Sequence, residues 1–185
     1  MGGNSALFFG ILINVAILLV FFRFLMQLAS VNFFNPVVMS TVKATKIVDV
    51  FSRIFPTVGN GRVNLAALIL VILLYFFRVW GEKHLTGAPT GDALYFVAST
   101  IKEMMLSLVV IFKYMIFGYI ICSWIIMFSQ SRSPYIEVIQ DLVEPMLAPL
   151  RKIMPNTGMI DLSPLLAFFI LFVAETMLKS IVLPF

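Results

Sequence analysis

The sequence predicts an all-α membrane protein: four transmembrane helices in two parallel repeats, each with an interfacial amphipathic helical segment between its two spans. Three observations carry this. Of 185 residues, 61% are hydrophobic and only 12% are charged, where soluble domains run at roughly 45–50% apolar and about 25% charged. Four apolar stretches approach the ~20 residues that a helix needs to cross a bilayer. The two halves of the chain also share one order of proline, arginine and glycine.

The apolar stretches cover residues 5–30, 63–80, 104–128 and 162–183, and mean hydropathy over the chain is +1.04. Hydrocarbon offers no partner to a backbone N–H or C=O, so each stretch is expected to be a helix that satisfies its own backbone. The first lacks a basic leader and a small-residue cleavage site, and reads as a retained helix rather than a signal peptide. Cys122 is the single cysteine and lies in the third stretch, so it has no internal disulfide partner and reads as a small packing residue. The net charge of +4 and pI near 9.4 fit the excess of Lys and Arg found in cytoplasmic loops. No basic run tracks a phosphate backbone, so no nucleic-acid partner is expected.

The internal repeat is read from spacing. The first half carries Asn35-Pro36, then Arg53, Pro56 and Gly59; the second carries Ser133-Pro134, then Arg151, Pro155 and Gly158. Pro36 and Pro134 lie 98 positions apart, as do Arg53 and Arg151, whereas the Pro-x-x-Gly pairs lie 99 apart. Residues 1–80 are thus expected to form the first repeat, 81–103 an outer loop and connecting segment, and 104–185 the second repeat. Residues 81–91, rich in Gly, Thr and charge, read as exposed loop. Residues 90–102 either extend the third helix or lie at the outer interface, with Asp92 able to cap them.

Between its spans, each half alternates apolar and polar residues at helical spacing. In the second half Ile139, Leu142, Val143, Met146, Leu150 and Ile153 fall on one face, opposite Glu137, Gln140, Asp141, Glu144, Arg151 and Lys152. In the first, Ala44, Ile47, Val48, Phe51, Ile54 and Phe55 oppose Thr41, Thr45, Lys46, Asp49, Ser52 and Arg53. Such segments lie in the interface with the apolar side toward the acyl chains, or pack on the spans. Pro145 and Pro149 are expected to break or kink the second segment.

Each repeat crosses the membrane and returns. Both amphipathic segments therefore share one side and both termini the other. The amphipathic side holds Lys43, Lys46, Arg53, Arg62, Arg132, Arg151 and Lys152, against Arg78, Lys83, Lys102 and Lys179 opposite. This bias puts the amphipathic segments in the cytoplasm and the termini in the periplasm.

Ionisable groups inside spans are costly and usually face the bundle interior. Asn14, Arg78, Lys113 and Glu175 are expected about 20–24 Å above the cytoplasmic ends at 1.5 Å per residue. Lys113 and Glu175 are expected to pair, with Asn14 adding a hydrogen bond. This polar level either fixes helix register or forms an ion site. Arg23, near the cytoplasmic end of the first span, is expected to anchor on lipid phosphate or helix-end carbonyls, and Arg53 and Arg151 are candidate interface anchors. Ala6-x-x-x-Gly10 and Gly118-x-x-x-Cys122 could permit close helix approach. Asp161-Leu162-Ser163-Pro164 reads as a helix start, with Ser163 as N-cap and Pro164 at the first helical position. No enzyme constellation is present. His84 stands without a second His or Cys nearby, so no catalytic residue, metal or cofactor is expected.

Arg23, Met26-Gln27, Asn35-Pro36, Arg53, Pro56 and Gly59, with Ser133-Pro134, Pro145, Pro149-Leu150-Arg151, Pro155, Gly158 and Asp161-Leu162-Ser163-Pro164, resemble the pattern of the YggT family of bacterial and plastid membrane proteins. The chain is similar to the two-repeat form found in proteobacteria, with residues 81–102 outside the resemblance. In the first half Arg62-Val63-Asn64-Leu65 stands where the second has Asp161-Leu162-Ser163-Pro164. The resemblance implies a bacterial inner-membrane location and a link to envelope organisation, assembly of membrane complexes, or potassium and osmotic homeostasis; it brings no catalytic residues. The expectation is a non-enzymatic scaffold or assembly factor for other membrane proteins, with ion permeation as the alternative. Its partners would be the lipid bilayer and other membrane proteins, and a homo-oligomer would be needed to line a pore, because no span carries a continuous polar stripe.

Overall fold

The computed structural model describes residues 2–129, 133–153 and 161–181. The chain runs α1 (Gly2–Leu28), α2 (Pro36–Ala44), α3 (Ile47–Phe51), β1 (Thr57–Val58), β2 (Val63–Asn64), α4 (Leu65–Thr86), α5 (Ala93–Ser129), α6 (Pro134–Ile153) and α7 (Ser163–Ser180). By length and composition, α1, α4, α5 and α7 can each cross a membrane. The expected fold class holds at this level, with one addition. Gly59-Asn60-Gly61, all with positive φ, turn the chain into a short antiparallel ladder that pairs Thr57 with Asn64 and Val58 with Val63.

Packing joins α1 to α4 and α5 to α7. The first pair approaches closely because Gly81 lacks a side chain: a Cβ there would overlap the Phe9 ring, which meets Phe77 edge-on at 5.4 Å. Phe21 on α1 meets Phe112 on α5 at 5.9 Å, and Phe76 on α4 meets Phe96 on α5 at 5.9 Å. Tyr75, Ile116, Val143 and Leu147 are fully buried in the same core, so α6 contributes to it as well.

Several boundaries differ from the sequence expectation. The second long helix does not stop at Trp80 but runs to Thr86, where Gly87 caps it in the left-handed conformation at φ 69°. Most of the expected 81–91 loop is therefore helix, and exposed His84 stacks on Trp80 in the last turn. α5 starts at Ala93, with Asp92 accepting from the Tyr95 N–H at 2.8 Å. Its 37 residues extend roughly 55 Å, well beyond a hydrocarbon core of ~30 Å.

The largest correction concerns the interfacial segments. α6 continues unbroken through Pro145 and Pro149. The two prolines stand one turn apart on the exposed side, so the carbonyls deprived of donors open outward rather than into the core. The break falls instead in the first segment, between α2 and α3, where no proline stands. Thr45, expected on the polar face, is only 2% exposed. Ala44, Ile47 and Ile54 of the expected apolar face, and Ile153 at the end of α6, are exposed and so do not pack on the long helices. Arg132 and the block Met154-Pro155-Asn156-Thr157-Gly158 lie outside the described residues.

Candidate functional site

Two sets of polar side chains stand out. One lies where the long apolar helices meet α2, α3 and α6, and the other lies along the long helices themselves.

Arg23, near the end of α1, explains the break after α2. Its guanidinium donates to the Thr45 carbonyl at 2.8 Å, to the Val42 carbonyl at 3.4 Å and to Thr45 Oγ1 at 3.3 Å, and it pairs with Asp49. The carbonyls at a helix C-terminus lack intrahelical donors and carry partial negative charge. Here the Val42 and Thr45 carbonyls already accept from the Thr45 and Val48 N–H groups at 3.3 and 3.0 Å, and the arginine fork adds a second donor to each. Of the two partners expected for Arg23, helix-end carbonyls are within its reach. Asp49, its acidic partner, was missed because nothing in the spacing tells which residue of a broken segment will face a given span.

Arg151, near the end of α6, has the same character. It donates to Asp161 Oδ2 at 2.8 Å, to Glu144 and to the Tyr119 hydroxyl at 3.1 Å, joining α5, α6 and the start of α7. Partial burial opposes its charge, but the hydrogen bonds to Glu144 and Asp161 prevail and hold its pKa above the usual value. At Asp161 burial also opposes the charge. The hydroxyl and N–H of Ser163, and then Arg151, outweigh it and hold the carboxyl below the usual range. Ser163 is therefore not the cap. It donates, from N–H at 2.9 Å and from its hydroxyl, to Asp161. In the first half Asn64 caps α4 by accepting from the Ala67 N–H at 3.0 Å, and Gln27 in turn accepts from the Asn64 amide at 2.9 Å. Arg53 stands exposed, and its side chain makes no hydrogen bond or ion pair among the described residues.

Asn35 ties the start of α2 to the start of α6. It caps α2 by accepting from the Val37 N–H at 2.9 Å and donates to the Pro134 carbonyl at 3.0 Å, at the start of α6. Asn35 is buried, and Pro36 at the first helical turn costs no hydrogen bond.

Within the spans, Lys113 on α5 pairs with Glu175 on α7, and Lys179 binds the other carboxylate oxygen at 2.7 Å. Glu175 is 8% exposed. Asn14 does not join this pair. It lines a separate cavity between α1 and α4 with Arg78, whose Nε donates to Glu82 Oε1 at 3.0 Å. The single polar cluster expected from equal depth is thus two clusters, one per helix pair. Lys179 and Glu82 were missed, although the i,i+4 spacing of each with its partner is a legible signal. Among the described residues no three His, Cys, Asp or Glu side chains gather as a metal site would require.

Comparison with known proteins adds the lineage. The family model described as CCB3/YggT matches residues 98–182. An uncharacterised protein of Pseudomonas aeruginosa is 34% identical over 85% of this chain and 79% of its own. One from Vibrio alginolyticus is 33% identical over 94% and 92%, and the YggT protein of Escherichia coli K12 is 29% identical over 82% and 76%. No solved structure matches the chain. A relative 34% identical over 85% of this chain and the matching family model together show that the chain belongs to the CCB3/YggT family.

Proposed function

We propose that this chain is an inner-membrane scaffold: two parallel repeats, α1–α4 and α5–α7, hold their interfacial helices on the cytoplasmic side as a docking platform on which other membrane proteins are assembled or organised. The observation that carries this reading is the pair of arginine anchors. Arg23 and Arg151 each fasten an interfacial helix to a span, and Asn35 joins the two segments. A platform held this way loses little further entropy when a partner binds. Its outer polar groups, among them Lys46, Arg53, Glu137 and Lys152, remain exposed. On this reading the chain does no chemistry of its own.

The test is co-purification from native membranes. A partner that stays with the wild-type chain and is lost on Arg53→Glu with Lys152→Glu, while the variant inserts and melts normally, supports the scaffold. A chain that purifies alone under every mild detergent contradicts it.

A second reading, ion permeation, is favoured by the Lys113–Glu175–Lys179 cluster inside the spans. Against it, Phe21, Phe112 and Ile116 fill the seam between the helix pairs, so a polar path would need several copies of the chain. Potassium flux through liposomes that falls on Glu175→Gln would favour this reading over the scaffold.

A further inference from the structure

The cavity between α1 and α4 has features that neither helix packing nor the scaffold reading uses. It measures about 560 Å³ and is lined by Gly10, Ile11, Asn14, Arg78, Glu82 and Thr86, among others. α4 rises from Leu65 so that Arg78 stands about 20 Å, Glu82 about 26 Å and Thr86 about 32 Å along it. With a hydrocarbon core of ~30 Å, Thr86 is level with the headgroups and Arg78 lies about 12 Å deeper. The cavity is therefore a polar ladder that descends from the headgroup level into the span, and the exposed apolar side chains Val15 and Leu18 continue along α1 below it.

Arg78 spends one nitrogen on Glu82. Its two terminal nitrogens meet no acceptor among the described residues, and Asn14, one helical turn below Gly10, has no hydrogen-bond partner there either. In hydrocarbon such donors need an acceptor. Gly10 makes the space: a Cβ at that position would stand 2.6 Å from Glu82 Oε1, so the carboxylate lies against the bare backbone of α1. A guanidinium with free donors beside a carboxylate with a free oxygen matches a ligand that carries both an anionic phosphate and an ammonium group. The bidentate fork suits phosphate, and the carboxylate suits a primary ammonium, which can donate.

We propose that this cavity is a binding site for the headgroup of an ethanolamine phospholipid, with phosphate on Arg78 and Asn14, ammonium on Glu82, and one acyl chain running deeper along Val15 and Leu18. The apolar wall below the polar ladder is what favours a lipid over a water-borne phosphate compound. The proposal does not depend on the scaffold reading.

The test is native mass spectrometry of the full chain in detergent, titrated with phosphatidylethanolamine, phosphatidylglycerol or phosphatidylcholine of matched chains. Wild type should prefer the ethanolamine lipid by about tenfold over the glycerol lipid, and over the choline lipid, whose ammonium cannot donate. Glu82→Gln should abolish that preference while phosphatidylglycerol still binds. Arg78→Gln should weaken all three lipids. Gly10→Leu leaves both charges in place and should weaken the ethanolamine lipid by filling the cradle. Melting curves identify a variant that fails to fold, in which case the remaining variants decide. Equal binding of the three lipids by wild type, or a preference untouched by Glu82→Gln and Gly10→Leu, overturns the proposal. So does displacement of the lipid by equimolar free phosphoethanolamine, or a change in subunit number rather than lipid binding in these variants, which would assign the cavity to a second copy of the chain.

Discussion

Replacing Arg23 with methionine keeps the length and apolar stem of the side chain and removes its donors. The strongest lost contact is the 2.8 Å bond to the Thr45 carbonyl, and a hydrogen bond to a charged group is worth about 1.5–3 kcal/mol. The loss is tempered because that carbonyl still accepts from the Val48 N–H at 3.0 Å. The Asp49 carboxylate is more than half exposed, so its ion pair adds no more than about 1 kcal/mol. Arg23→Met should therefore cost about 3 kcal/mol, and Asp49→Asn below about 1 kcal/mol. The loss should be local. Hydrogen exchange in detergent should quicken by about a hundredfold at the amides of residues 45–52, while the middle of α4 is unchanged. If Arg23→Met exchanges no faster there than Asp49→Asn, the anchoring role assigned to Arg23 is wrong.

Gly81→Leu drives a side chain into the Phe9 ring and should cost about 1–3 kcal/mol as overpacking; Phe9→Ala in the same chain should return much of it in thermal unfolding. Glu175→Gln leaves Lys113 without its carboxylate, whereas Lys113→Met leaves Glu175 paired with Lys179, so Glu175→Gln should lower the melting temperature more than Lys113→Met does, and more than the double variant; additive losses would deny the coupling. Asp161 is held below its ordinary pKa, so it contributes stability at pH values above the unfolded carboxylate range and loses it as pH falls through the lower folded value. Wild-type melting temperature should drop over that acid window by more than that of Asp161→Asn, and parallel curves would refute the assignment.

The spans were legible because hydrocarbon imposes a compositional demand, and 61% apolar content in long runs meets it. Their ends were less so. Glu82, Lys83 and His84 end the hydrophobic run at Trp80, but a helix need not stop where the lipid does; α4 continues to the residue that can adopt a left-handed cap, Gly87. Asn14 shows a second limit. Depth along a helix follows from residue number, whereas the seam that a residue faces depends on how each helix is rotated. Asn14 and Lys113 were placed at one height, yet they belong to different helix pairs. Pro145 and Pro149 show a third, because a proline breaks a helix only where the orphaned carbonyl has no outlet, and here both outlets face outward. The anchors were half legible: Arg23 near a span end and Arg151 after an amphipathic run can be marked from sequence, but Thr45, Asp49 and Tyr119 become their partners only through packing.

The two-repeat membrane topology is the central claim, and labelling tests it most directly. In a chain carrying Cys122→Ser, single cysteines at Lys46, Glu137 and His84, all exposed, are treated with a membrane-impermeant maleimide in spheroplasts. The account predicts that position 84 reacts in intact spheroplasts and that 46 and 137 react only after lysis. Labelling of 46 and 137 from opposite sides, or of both from outside, would contradict it.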